Sequence, residues 1–112
     1  MYEVGIVTVS DKGAAGERED KSGPMIESLL DGQLYHIASY TIVPDEPEML
    51  KAELLRLCDD VKCDLVLTTG GTGFSKRDVT PEATKSVIER EVPGIPMAIL
   101  QYSLTITERA ML

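Results

Sequence analysis

A short apolar stretch that runs directly into glycines and hydroxyl side chains is the feature that most constrains this chain. Leu65–Leu67 is followed without a break by Thr68–Gly73, which reads TTGGTG. A buried strand that ends in such a turn is typical of α/β proteins that bind a phosphate or a nucleotide, because glycine lets backbone N–H groups approach an anion closely. Lys76–Glu82 then adds two cations, a carboxylate and a helix start close behind the glycines.

Strand-like and helix-like patterns alternate along the chain. Glu3–Ser10 is β-branched and mostly apolar, which indicates a strand covered on both faces. The predicted strands are Glu3–Ser10, Leu34–Val43 and Asp64–Thr68, and the predicted helices are Asp20–Gly32, Glu46–Val61, Pro81–Arg90 and the first part of Met97–Leu112. This order predicts an α/β fold with a parallel sheet and helices on both faces.

Local signals predict where the helices begin and end. Ser22 and Thr80 are the expected N-caps, Pro81 takes the first helical position, and Gly32 ends the first helix. Pro93–Pro96 predicts a turn. The longest helix is expected to bury one broad stripe, made of Met49, Leu50, Leu54, Leu55, Leu57, Cys58 and Val61.

Charge and composition exclude several classes of function. The net charge of −8 argues against nucleic acid and against anionic membranes, which both require a basic surface. No run of about 18 apolar residues is present, and the start lacks the basic segment of a signal peptide. We therefore expect one cytoplasmic domain over residues 1–112, with no membrane and no nucleic acid partner. The spacing of Cys58 and Cys63 predicts reduced thiols without a metal.

The candidate site residues all follow predicted strands. In an open parallel sheet, ligands bind beyond the carboxyl ends of the strands. Ser10 and Asp11 follow the first strand, Asp45 follows the second, and Asp78 and Gly70–Gly73 follow the third. The two long loops among them, residues 10–21 and 69–80, carry equal numbers of basic and acidic side chains, so an anionic ligand would meet less repulsion there than elsewhere.

Each of these residues also has a purely structural interpretation. Asp45 suits a helix N-cap in a capping box with Glu48, and Asp78 suits an Asx-turn. The pair Ser10–Asp11 and the glycine run suit tight turns. The alternative is that Asp45 and Asp78 jointly hold Mg²⁺, which prefers carboxylates together with substrate phosphates. Neither the P-loop nor the dinucleotide fingerprint matches, so the glycine turn belongs to another phosphate-binding class.

The motifs together closely resemble one family, the molybdopterin-binding domain of molybdenum cofactor biosynthesis. This is the domain of the bacterial Mog and MoaB proteins, of the gephyrin G domain and of its plant counterpart. The matching segments are Val9–Asp11, Pro44–Glu46, Thr68–Gly73, Arg77–Thr84 and Glu91–Pro96. The resemblance spans essentially the whole chain, except that family members normally continue with a further loop, strand and proline-containing turn. It implies a domain that lacks its C-terminal segment, either as a fragment of a longer protein or as a truncated homologue.

The resemblance implies a three-layer α/β/α sandwich, usually a homotrimer, that adenylates molybdopterin with ATP and Mg²⁺ and hands the product to the molybdenum-insertion protein. It implies catalytic and metal-binding roles for Asp45 and Asp78. The residues that it places around the ligand are Ser10, Asp11, Thr69, Gly70, Gly71, Thr72, Gly73, Thr80, Pro81 and Glu82. The alternatives are a pterin- or nucleotide-binding homologue without turnover, or another nucleotide-processing enzyme of the competence-damage type.

Overall fold

One central strand organises the sheet in the computed structural model, which describes residues 1–112. Tyr2–Val9 (β1) pairs in parallel with Tyr35–Val43 (β2) on one side and with Leu65–Thr69 (β3) on the other, so the strand order is β2-β1-β3. The last six residues of β1 are all buried. The predictions of a parallel sheet and of a first strand covered on both faces are therefore confirmed.

Helices connect these strands and lie on both faces of the sheet. Asp11–Ala14 (α1) and Ser22–Leu29 (α2) follow β1. Pro47–Leu55 (α3), which continues as a π-turn over Arg56–Asp60, follows β2. Thr80–Val87 (α4), Gly94–Leu104 (α5) and a 3₁₀ turn at Glu108–Met111 follow β3. No helix is both long enough and apolar enough to cross a bilayer.

The main core lies between β1, the end of β2 and the pair α3–α4. Its buried members are Val7, Val9, Val43, Leu50, Leu54, Leu57 and Ala83. Because side chains alternate along a strand, the buried Ile6 and Thr8 point to the opposite face, where α2 packs against β1. The central strand therefore supplies apolar side chains to both layers.

The buried stripe of the longest helix is narrower than predicted. Leu50, Leu54 and Leu57 are buried, whereas Met49, Leu55 and Cys58 are exposed. The buried residues follow one another at spacings of four and three positions, which keeps them on one narrow face, and Met49, Leu55 and Cys58 lie at the flanks of that face. The π-turn over Arg56–Asp60, in which the N–H of Val61 donates to the carbonyl of Arg56 (2.9 Å), follows Leu55.

Several predicted helix ends differ from the observed ones. The carboxylate of Asp20 accepts hydrogen bonds from the N–H groups of Ser22 and Gly23, so Ser22 is the first helical residue of α2 and not its cap. Thr80 is likewise the first helical residue of α4, which has no side-chain cap, and its hydroxyl donates to the carbonyl of Gly70 (2.9 Å). Pro93–Pro96, which was expected to form a turn, instead contains the start of α5 at Gly94. The helix predicted over Asp20–Gly32 is α2, and it ends at Leu29.

Core packing around Leu57 gives a direct test of this arrangement. Leu57 is fully buried, and its methyl groups lie against Gly5. We expect Leu57→Ala to lower the free energy of unfolding by about 2–5 kcal/mol, because it removes buried methyl groups and leaves a cavity. Leu55→Ala in the same helix is the control, with an expected loss under about 1 kcal/mol, since Leu55 is 46% exposed. Urea unfolding measures both, and equal losses would contradict the assigned packing.

Candidate functional site

The loops that follow the three strands enclose a cavity of about 640 Å³ at the carboxyl edge of the sheet. Six of the predicted site residues line it: Ser10, Asp45, Thr69, Gly70, Gly71 and Asp78. The remaining lining residues are Thr8, Val9, Gly13, Arg18, Glu19, Asp20, Lys21 and Ser22. The structure thus brings both candidate aspartates and the glycine turn to one concave surface.

The glycine turn packs too tightly to accept any other residue at its first two positions. Gly70 and Gly71 have φ angles of 92° and 69°, which side chains other than glycine rarely adopt. A Cβ atom on Gly70 would collide with the carbonyl oxygen of Val9, and one on Gly71 with the hydroxyl of Thr80. The N–H of Thr80 also donates to the carbonyl of Gly71 (3.1 Å). The turn is therefore held between the end of β1 and the first turn of α4.

Asp45 is held by a reciprocal pair of hydrogen bonds with Asp11. The N–H of Asp11 donates to Oδ2 of Asp45, and the N–H of Asp45 donates to Oδ1 of Asp11, both at 2.9 Å. The structure does not support the alternative role of Asp45 as a helix cap, because α3 begins after Glu46 without any side-chain cap. Oδ1 of Asp45 accepts no hydrogen bond from the protein, and it faces Gly71.

Asp78 is held by its own loop in a comparable way. Its Oδ2 accepts hydrogen bonds from the N–H (3.0 Å) and the hydroxyl (2.9 Å) of Ser75. The Asx-turn expected at Asp78 does not form, because its carboxylate accepts from Ser75, which precedes it, while the N–H of Thr80 donates to Gly71. Asp78 also lines the cavity. Oδ1 of Asp78 accepts no hydrogen bond from the protein. In both aspartates, one carboxylate oxygen orients the group and the other accepts no hydrogen bond from the protein.

These two free oxygens suit a hard cation that arrives with phosphates. No cluster of three or more His, Cys, Asp or Glu side chains is placed to hold a metal ion by itself. Mg²⁺ is commonly bound by only one or two carboxylates, with substrate phosphates and water completing its coordination. The donors that line the cavity therefore fit a magnesium–nucleotide complex better than a resident structural metal.

Sequence reasoning missed the wall formed by Arg18–Ser22. The loop is fastened through Asp20, whose Oδ2 accepts hydrogen bonds from the hydroxyls of Thr8 (2.8 Å) and Tyr40. Arg18 and Lys21 line the cavity, and neither forms a salt bridge. The dense run of charges within an unusually long loop after a strand is the signal that identifies such a segment.

The contacts of Asp20 shift the pKa values of two groups. Burial raises the pKa of Asp20, but hydrogen bonds from Tyr40, Thr8 and the backbone outweigh it, so the net pKa lies below the ordinary value. Burial, followed by the hydrogen bond to Asp20, raises the pKa of Tyr40 to about 12. Tyr40 therefore stays a neutral donor, and Asp20 stays an ionised acceptor, at neutral pH.

The other six predicted site residues lie outside the cavity wall. Asp11 binds Asp45 and Arg77, and Thr80 is buried beneath the glycine turn. The remaining four are exposed: Thr72, Gly73, Pro81 and Glu82. Their roles toward a ligand stay predictions, as do those of the six residues that line the cavity.

Known proteins match this chain over nearly its full length. A family model described as "probable molybdopterin binding domain" matches residues 5–112. The chain is 40% identical to a molybdopterin adenylyltransferase of Helicobacter pylori, over 97% of this chain and 63% of that protein. It is 42% identical to gephyrin of Dictyostelium discoideum, over 97% of this chain and 16% of that protein. The chain thus spans less than two thirds of either relative.

Solved structures match equally well. The crystal structure of the molybdopterin biosynthesis enzyme MoaB from Thermus thermophilus superposes with a TM-score of 0.91 at 46% identity. The match covers 100% of this chain and 70% of that chain. This similarity confirms the prediction of an α/β fold with a mostly parallel sheet.

Two substitutions separate the effect of the positive φ angle at Gly70 from the effect of its close contact with Val9. We expect Gly70→Ala to lower the free energy of unfolding by more than about 2 kcal/mol, because it combines an unfavourable φ with a collision against β1. Gly16→Ala is the matched control, since Gly16 has a φ of 76° but open space around it, and it should cost only about 1 kcal/mol. Urea unfolding decides, and equal losses would remove the argument from close packing.

The Tyr40–Asp20 contact predicts a pH dependence at the alkaline end. Because folding raises the pKa of Tyr40 from 10.0 to about 12, its contribution to stability is complete below pH 10 and is lost as the pH rises toward 12. The difference in unfolding free energy between the wild type and Tyr40→Phe should therefore shrink over that range. Phenolate absorbance gives the titration directly. A Tyr40 midpoint near 10 would contradict the contact.

Proposed function

Because the chain belongs to the molybdopterin-binding domain family, we propose that it acts in molybdenum cofactor biosynthesis and transfers AMP from ATP to molybdopterin. The observation that carries this proposal is the cavity in which Asp45 and Asp78 lie beside the Gly70–Gly71 turn. The relative from Helicobacter pylori is itself named molybdopterin adenylyltransferase, which supports the assignment.

The proposed chemistry is a direct exchange between phosphates. An oxygen of the terminal phosphate of molybdopterin forms a bond to the α-phosphorus of ATP, and the bond from that phosphorus to the bridging oxygen breaks, so pyrophosphate leaves. No cysteine or histidine lines the cavity, which is consistent with transfer that proceeds without a covalent enzyme intermediate. Catalysis then consists of alignment and charge neutralisation.

The residues of the chain divide this work. Asp45 and Asp78 would hold Mg²⁺ through their free Oδ1 atoms, and the bound ion would neutralise charge on the phosphates. The turn at Gly70–Gly71 allows close approach of a phosphate to the backbone, because no Cβ atom intervenes. Arg18 and Lys21, which also line the cavity and form no salt bridge, are cations available to a phosphate.

The proposal also covers the oligomeric state, the location and the partner of the protein. A homotrimer in the cytoplasm, which passes its product to a molybdenum-insertion protein, is what the family resemblance implies. The exposed apolar side chains of α5 are compatible with a subunit contact, since Met97 and Ile99 are 58% and 62% exposed. The measurement for this part is the molar mass in solution.

A second candidate function is binding of molybdopterin or a nucleotide without transfer. The observation in its favour is that Asp45 and Asp78 each accept a hydrogen bond from a backbone N–H of a loop, a structural role that does not require turnover. Binding without turnover would distinguish this function from the first.

If the protein transfers AMP as proposed, the transfer rate should depend strongly on Asp45 and Asp78. We expect Asp45→Asn and Asp78→Asn each to lower the transfer rate by about 100-fold or more, because each removes the charge of a carboxylate that faces the phosphates. Asp59→Asn is the control, since Asp59 is exposed on the π-turn, away from the cavity. Purified protein is incubated with molybdopterin, ATP and Mg²⁺, and adenylylated molybdopterin is quantified by mass spectrometry.

Three results separate the alternatives. Product from the wild type and from Asp59→Asn, with little from the other two variants, supports the proposal. Full turnover in Asp45→Asn and Asp78→Asn would show that these roles are misassigned. Binding of molybdopterin by the wild type without any product would favour the second candidate function.

A further inference from the structure

A single side chain, Arg77, joins the three loops that surround the cavity. It lies between β3 and α4, and its Nε and Nη2 donate to Oδ2 (3.0 Å) and Oδ1 (2.8 Å) of Asp11. Its Nη1 donates to Oε1 of Glu46 (2.8 Å). Asp11 follows β1 and Glu46 follows β2, so one guanidinium connects the loops of all three strands.

The contacts of Arg77 lead to both candidate carboxylates. Oδ1 of Asp11, which accepts from Arg77, also accepts from the N–H of Asp45, and Oδ2 of Asp45 accepts from the N–H of Asp11. On the other side, Arg77 is bonded covalently to Asp78. Asp45 and Asp78 are 33 positions apart in the sequence, yet only this short series of contacts separates them.

We propose that Arg77 is a positioning residue, which fixes the placement of the Asp45 carboxylate relative to that of Asp78. The inference rests on the proposed function, because that function gives the two carboxylates a shared cation. Arg77 acts through Asp11 and the adjacent peptide bond, and it does not itself line the cavity.

The geometry and the exposure of the contacts favour positioning over a contribution to global stability. Side chains of Arg77 and Asp11 are 53% and 41% exposed, and ion pairs with such exposure add little to the free energy of unfolding. The two parallel N–H···O bonds nevertheless fix orientation, which a lysine cannot reproduce.

Amide hydrogen exchange in the ligand-free protein tests this role without any turnover. We expect Arg77→Met to speed exchange at the N–H groups of Asp11 and Asp45 by about fivefold or more, because their acceptors lose their orientation. Arg77→Lys should give a large part of the same increase, since it keeps the charge but loses the paired hydrogen bonds. Lys76→Met is the matched control, because Lys76 is an exposed neighbour without a salt bridge. Unchanged exchange in Arg77→Met would overturn the inference.

Metal-dependent nucleotide binding tests the consequence. We expect Arg77→Met to raise the Mg²⁺ concentration needed for half-maximal ATP binding by about tenfold, while ATP affinity measured with a chelator changes less than about twofold. An unchanged Mg²⁺ requirement would overturn the link between Arg77 and the two carboxylates. If exchange responds as expected but the wild type neither binds ATP nor transfers AMP, adenylyl transfer fails and the positioning of Asp45 by Arg77 is supported. The two failures are therefore distinguishable.

Discussion

The parallel pairing of β1 with both of its neighbours is the constraint on which the rest of the molecule depends. Because all three strands run in one direction, their carboxyl ends meet at one edge. The N–H of Ser10 donates to the carbonyl of Val43 (2.8 Å), and Gly70 passes directly against the carbonyl of Val9. These backbone contacts hold together loops that are distant in the sequence, without any contribution from contacts between their side chains.

Four carboxylates at the carboxyl edge of the sheet hold the backbone of the loops in place. Asp11, Asp20, Asp45 and Asp78 each accept at least one hydrogen bond from a backbone N–H, and three of them line the cavity. Such bonds fix a side chain at a low cost in free energy, because the N–H groups concerned otherwise have no hydrogen-bond partner within the protein. What distinguishes Asp45 and Asp78 is that each keeps one oxygen free of such bonds, so the same group could hold its loop and carry the proposed binding role.

The sequence predicted the sheet and its site edge, because β-branched runs and helical periods are local signals. It did not predict the contacts that shape the site. Arg77 and Asp11 are 66 positions apart. Asp20 follows β1, whereas its hydrogen-bond donor Tyr40 lies in β2. No local pattern in the sequence indicates either pair. Ser22 and Thr80 were predicted to be helix caps. Instead, the N–H of Ser22 donates to the carboxylate of Asp20, and the hydroxyl of Thr80 donates to the carbonyl of Gly70. Such partner choices are decided by tertiary structure.

The π-turn at Arg56–Asp60 has a consequence for how this domain can change length. A π-turn holds one more residue than an α-helical turn, so a one-residue deletion there can leave an α-helical turn in its place. Leu65–Thr69 begins shortly afterwards, and a slip of one position in its pairing with β1 would exchange the two faces of that strand. The π-turn can therefore absorb the loss of one residue before the change reaches the sheet, and the glycines beyond the strand keep their place.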